Sequence, residues 1–286
     1  MSRQVAGATV SVVLLDRMTG GEFDRTKRAL EVLSTVSWAE PLLLRLEHAG
    51  GIRPENMPLM FEVRYAHELF LAGSSATYEY ATGIGDSRVD FRTDTSPPWL
   101  IELVSVRTSE ATRRATRKVG QLSETLLMPT PSDPDRSEVG EIIRAQGKIG
   151  EKVLAGNEPT KFPLIGDSFH MIVIDMRGFL LHGGDCGDYW EIAYGRQFFR
   201  PDQFPFLHQV SGRPIKGLFE PDNVRASARL IQERIHVLSF VCERDFCEGE
   251  IGRVACNVPN YNLFRDTDAA LEALRSHPLA EKIDAV

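Results

Sequence analysis

The amino-acid sequence predicts an α/β fold in which strands and helices share one domain. Three observations carry this. Arg88-Val-Asp-Phe-Arg92 alternates polar and apolar residues, Trp99-Leu-Ile-Glu-Leu-Val-Ser-Val106 is a second and more apolar strand, and segments with helical spacing flank the pair. Thr93 to Pro98 supply the turn between the strands. A turn centred near Ser96 sets Asp90 opposite Glu102, Phe91 opposite Ile101 and Val89 opposite Leu103. In that register one face is apolar and the other carries both acids. Two carboxylates side by side suit a hard divalent cation.

In chain order, residues 1–55 form an N-terminal helical extension, with a helix from Phe23 to about Leu46 that is interrupted or kinked near Pro41. Its sequence holds no chemical motif and reads as a packing element. Met57 to Ala72 has apolar residues at helical spacing and ends at Gly73, a residue suited to a helix C-terminus. A strand over Ala76 to Ala81 follows. Gly83-Ile-Gly85 is too short for a phosphate-binding fingerprint and reads as a turn. After the two acid-bearing strands, Arg107 to Leu127 has helical propensity, and the three prolines of Met128 to Asp135 make a loop. Ser137 to Ala155 is a helix with Ser137 as N-cap and Gly156-Asn157 as its stop. His170 to Met176 is a buried strand, closing a core over 57–176. Residues 177–286 hold an excursion from Gly178 to Pro221, a helix over Val224 to Arg234, strands over His236 to Cys242 and Ile251 to Cys256, and a helix over Asp266 to Ser276. One elaborated domain of 286 residues is expected.

Composition narrows the class. With 42% hydrophobic and 26% charged residues the chain is suited to a packed globule, and the net charge of −7 argues against nucleic-acid binding by the whole surface, though not by a local basic patch. The four cysteines show no CxxC pair or zinc-finger spacing, so buried free thiols are expected. The run Val10 to Leu15 lacks a signal-peptide cleavage site, and no stretch approaches the ~20 apolar residues of a membrane span. A cytoplasmic protein with no membrane partner is the expectation.

The order helix, strand, strand, strand, helix, strand, with Val89-Asp90-Phe91 on the second strand and Ile101-Glu102-Leu103-Val104 on the third, resembles the core of the PD-(D/E)XK nuclease superfamily. Phe61-Glu62-Val63-Arg64 through Gly73, ahead of Tyr78-Glu79-Tyr80, resembles its leading helix and first strand. The resemblance covers about Phe61 to Met176 and implies a restriction-endonuclease-like fold, a central mixed β-sheet flanked by helices. It also implies a Mg²⁺- or Mn²⁺-dependent endonuclease acting on DNA in bacterial defence or DNA processing. Asp90, Glu102 and the Val104 backbone carbonyl would then hold the metal, and Glu62 would join from the helix. The lysine usual two positions after the second acid is Val104 here. In some members it moves to the following helix, and at ~100° per residue Gln146 and Lys152 lie beside the apolar stripe of that helix, with Lys148 a second choice further round.

Arg107, Arg113, Arg114, Arg117 and Lys118 follow the second acid closely and suit phosphate contacts. Paired copies of such a site would let a homodimer cut both strands. The alternative is a catalytically inactive nuclease-derived domain that binds nucleic acid or a protein partner, because a decayed site would also lack the usual lysine. His170, His236 and Asp175 read as structural groups at strand ends. His182-Gly-Gly-Asp-Cys-Gly-Asp188 reads as a flexible loop, and the aromatic series from Tyr189 to Phe206 as packing over the core. No Gly-x-Ser-x-Gly elbow supports a serine hydrolase.

Overall fold

In the computed structural model, residues 20–119, 122–125, 137–180, 183–195, 215–243 and 251–280 are described, with 117–119 and 122–125 described through their backbone alone. The N-terminal part contains α1 (Gly20–Leu33) and α2 (Glu40–His48), followed by α3 (Met57–Leu71). Of the two alternatives near Pro41, interruption or kink, the chain shows an interruption that divides the region into two helices. Pro41 lies in the first turn of α2, where its missing N–H has no intrahelical partner to lose, so it starts a helix rather than bending one. α3 ends in a Schellman motif. Gly73 takes φ 71, its N–H reaches Phe70 O at 2.9 Å, and Ser74 N–H reaches Leu69 O at 2.9 Å.

Strands β1 (Ala76–Ala81), β2 (Arg88–Thr93) and β3 (Trp99–Ser105) form an antiparallel meander. Gly83 and Gly85, at φ 82 and 50, lie in the β1–β2 turn. Where one helix over Arg107 to Leu127 was expected, the chain forms α4 (Glu110–Ala115) and then a hairpin of β4 (Thr116–Val119) and β5 (Leu122–Thr125). Ser109 caps α4, accepting a hydrogen bond from Thr112 N–H, and tertiary pairing overrides helical propensity after one and a half turns.

Next come α5 (Glu138–Gly150), a small hairpin of β6 (Leu154–Ala155) and β7 (Glu158–Pro159), and β8 (Phe169–Asp175). The expected loop and excursion after Gly178 instead contain α6 (Cys186–Tyr194), started by a capping box in which Asp185 and Asp188 exchange bonds with each other's backbone. Tyr189 of α6 stacks on Phe240 at 4.8 Å between ring centroids. His182, Phe198, Phe199, Phe204 and Phe206 lie outside the described residues. The rest is α7 (Ala226–Arg234), β9 (Val237–Val241), α8 (Ile251–Val254), β10 (Ala255–Pro259) and α9 (Thr267–Arg275). The strand expected over Ile251 to Cys256 therefore begins as a helical turn and runs on to Pro259.

The six-stranded sheet has the order β1-β2-β3-β8-β9-β10. β3, β8 and β9 are parallel, and the outer pairs are antiparallel. Strands β9 and β10 extend it beyond the 57–176 core. Each face carries its own hydrophobic core. Phe91, Ile101, Leu103, Met171 and Val173 pack with α1 to α3. Leu100, Val104, Ile172, Ile174 and Leu238 pack with α5, α6 and α7. Burial on both sides explains why β3 and β8 read as nearly continuous apolar runs.

Among the described residues, no helix is long and apolar enough to cross a membrane. Cys186 is exposed, while Cys242 and Cys256 are half-buried, so the expected full burial does not hold for them; all three are free thiols, and Cys247 lies outside the described residues.

Candidate active site

The register Phe91↔Ile101 and Arg92↔Leu100 places the acids on adjacent antiparallel strands. One part of the expected facing does not hold. Val89 does not share Phe91's face: Phe91 belongs to the core under α3, whereas Val89 joins the core under α5. On the neighbouring strand Tyr78 and Tyr80 divide in the same way, and Glu79 between them takes φ 49. Both strands therefore change face at the level of Glu79 and Asp90, which is the signature of a local break in the pleat. At this break the Leu103 N–H donates to Asp90 Oδ2 at 2.7 Å.

Around that break the structure gathers four acids and bases foreseen as candidates. Glu102 is fully buried, and Lys152 Nζ lies 2.7 Å from its Oε1. Glu62, on the middle of α3, is buried and accepts a hydrogen bond from the Tyr78 hydroxyl at 2.6 Å and from Arg45 Nη1 at 3.1 Å. Glu62 is thus turned inward and does not face solvent. A fifth member, Lys161, comes to 2.8 Å from the same Glu102 Oε1. Neither Lys161 nor the Arg45–Tyr78 support of Glu62 was foreseen. Lys161 follows a two-residue hairpin with no periodic signal, and Arg45 lies on a helix that carries no motif.

Two candidates fall away. Gln146 Nε2 donates to Ile192 O at 3.0 Å and Lys216 O at 2.9 Å, while its Oε1 accepts from Arg225 Nη2 at 2.6 Å. That buried amide ties α5 to α6 and to the segment before α7, which answers why a polar residue flanks the apolar stripe. Lys148 forms an exposed pair with Glu151 at 2.7 Å. Its helical phase carries it round from the apolar stripe, as expected, whereas Lys152 lies beyond α5, which ends at Gly150 and is followed by an i→i+3 bond from Lys152 N–H to Ile149 O at 3.1 Å. Gly150 is needed there, because a Cβ would meet Ser227 Oγ of α7 at 2.8 Å.

The Val104 carbonyl also leaves the set. Leu103 N–H points to β2, and Val106 N–H reaches Asp175 O of β8 at 2.9 Å. By strand alternation the Leu103 carbonyl points to the β2 side, whereas that of Val104 points to β8. The Val104 side chain fills the core on the Glu102 face, where a lysine is usual in the resembled family.

Of the basic cluster, Arg107 and Arg113 line a cavity of about 230 Å³ with Ser105, Asp175 and Arg177, at the carboxyl ends of β3 and β8. Ser105 is three residues from Glu102 along β3, roughly 10 Å at strand rise. Arg114 is exposed on α4, and the side chains of Arg117 and Lys118 lie outside the described residues. His170 and His236 are buried as structural groups. The His170 N–H donates to His236 Nδ1 at 3.1 Å, and burial lowers both imidazoles to about pH 4.

Two electrostatic features mark the cluster. Among the described residues, Glu102 Oε2 is buried without a hydrogen-bond partner. Asp90 is held well above the ordinary carboxylate range, by burial first and then by repulsion from Glu102 and Glu62, against the pull of Lys152 and the Leu103 N–H. Glu62 is raised for similar reasons, burial leading. For Lys152 burial works against the charge, but Glu102 and Asp90 outweigh it and the ammonium is stabilised.

The Asp90 shift has a measurable sign. In the unfolded chain Asp90 loses its proton near about pH 3.9, whereas the folded protein keeps it to higher pH. The folded state then binds more protons, and this group makes stability fall as pH rises through that window. Asp90→Asn leaves an oxygen for the Leu103 N–H and removes the titration. In chelator, urea unfolding should show the variant level with wild type near pH 4 and more stable at pH 8. A variant no more stable at pH 8 would contradict the assignment.

Fold and site define an α/β protein with a buried carboxylate–lysine cluster at a break between two strands of a mixed sheet. Compared with known protein families, characterised proteins and solved structures, the chain matches none.

Proposed function

We propose that the protein is a metal-dependent nuclease with a restriction-endonuclease-like core, hydrolysing phosphodiester bonds in DNA as an endonuclease. The setting in bacterial defence or DNA processing follows from the sequence resemblance alone. The observation that carries the reading is the partnerless, fully buried Oε2 of Glu102 beside an Asp90 whose ionisation is opposed by burial and then by neighbouring acids. A cation bound between them would satisfy the first and relieve the second.

Among the described residues, no group of three or more His, Cys, Asp and Glu side chains could hold a metal ion. Mg²⁺ does not need one, since it is commonly held by one or two carboxylates, with waters and substrate phosphates completing the shell. Asp90 and Glu102 fit that pattern. A Mg²⁺ or Mn²⁺ ion there would polarise the phosphate and lower the pKa of the attacking water. Lys152, its ammonium stabilised by the acids, supplies positive charge toward the phosphate rather than a free base. Tyr78 and Arg45 fix Glu62 at the margin of the site, where its carboxylate can accept a hydrogen bond from water. Arg107 and Arg113 offer phosphate contacts further along the strand.

Purified protein is expected to nick or linearise plasmid DNA in Mg²⁺ or Mn²⁺ and to be silent in chelator. Failure to cleave single- or double-stranded DNA or RNA with either metal would remove the enzyme reading and leave the nucleic-acid- or protein-binding domain.

A further inference from the structure

The turn after α5 and the β6–β7 hairpin bring two lysines nine positions apart to one oxygen. Thr160 N–H bonds Val153 O at 2.9 Å, so Lys152 and Lys161 flank the base of the hairpin. Lys161 takes φ 63, an unfavoured conformation for a residue with a Cβ, and the next residue, Phe162, is fully buried in the core beneath. The Lys161 ammonium donates to Arg88 O of β2 at 3.2 Å as well as pairing with Glu102 of β3 at 2.8 Å. It thus spans the gap where β2 and β3 part around Asp90. About a quarter of its side chain is exposed, so its head group has a way out to solvent.

We infer that Lys161 is a positioning residue that occupies Glu102 in the metal-free protein, competes with the incoming divalent cation, and is released toward the substrate phosphate when the cation binds. The inference rests on the metal-dependent reading above. Two ammonium groups on one carboxylate oxygen balance the acids while no metal is bound; a divalent cation on Glu102 would leave that corner with an excess of positive charge. Of the two lysines, Lys161 is the one held by Glu102 and a single backbone carbonyl, Arg88 O, both of which water can satisfy when the head group leaves.

The test is Mn²⁺ titration of wild type, Lys161→Met and Lys161→Arg by calorimetry or electron paramagnetic resonance, with metal-dependent cleavage measured alongside. Removing a competing charge should tighten Mn²⁺ binding by roughly tenfold, while the maximal cleavage rate falls. Arginine should restore wild-type affinity. A merely structural lysine would give the opposite, since a loosened site binds metal more weakly. Wild-type binding with unchanged or weaker affinity in Lys161→Met would overturn the role of Lys161 and leave the metal reading standing. Absence of Mn²⁺ binding in all three proteins would overturn the metal reading and this inference with it.

Discussion

Replacing Asp90 with asparagine or Glu102 with glutamine is expected to lower Mg²⁺-dependent DNA cleavage by on the order of 10³-fold, the scale of losing a group that stabilises charge in the transition state. Each change removes one negative charge from a two-carboxylate site and leaves the shape of the side chain. Shape matters because both acids are buried: alanine at position 90 would strand the Leu103 N–H, and alanine at 102 would open a void beside Val104. Asp90→Asn should unfold no more readily than wild type at neutral pH, because it relieves repulsion. Glu102→Gln should cost little, since the side chains of Lys152 and Lys161 are each about one-quarter exposed and their freed ammonium groups can turn to water. Activity and stability should therefore part company in both variants. Equal cleavage by wild type and both variants would identify a contaminating nuclease and remove the assignment.

The acid-bearing strands are legible in sequence because two strong local signals agree. Alternation from Arg88 to Arg92 and the Ser96-Pro97-Pro98 turn together fix a register, and the observed pairing of Phe91 with Ile101 is the one they set. The change of face at Asp90 is not legible, since it depends on Glu79 at positive φ in the neighbouring strand, a position with no glycine to advertise it. Helical phase pointed to Lys152, yet that residue lies past the end of α5 and reaches Glu102 from a turn. α5 ends at Gly150, five residues before the end expected at Ala155. Gln146 shared the favourable phase and went elsewhere, because its partners come from α6 and from the segment at Lys216 and Arg225, distant in sequence. Lys161 and Arg45 belong to the same category. A lone cation in a loop or on an outer helix carries no pattern until the sheet and α3 bring the acids to it.

Arg177→Leu is expected to destabilise the protein by about 3–5 kcal/mol, the range for removing one partner from a buried ionic cluster. Arg177 follows β8 and is buried. Its guanidinium holds Asp175 through two side-chain bonds of 3.1 Å each and Glu22 through one of 3.0 Å, and its own N–H donates to Asp175 Oδ1 at 3.1 Å. Glu22 sits in the first turn of α1, where a negative charge also complements the helix dipole. Through this arginine, α1 is pinned to the carboxyl end of the central parallel strands. Leucine would leave two carboxylates buried without their cation, and each would have to take up a proton or draw in water to remain there. The companion variant separates charge from packing. Glu22→Gln with Asp175→Asn in the Arg177→Leu background removes both stranded charges, and should recover much of the loss if desolvated charge is its cause. Urea unfolding at neutral pH measures both. A loss that persists in the triple variant would assign the effect to the packing of the arginine stem, and a loss below about 1 kcal/mol in Arg177→Leu would mean that this cluster behaves as a solvated pair rather than a buried one.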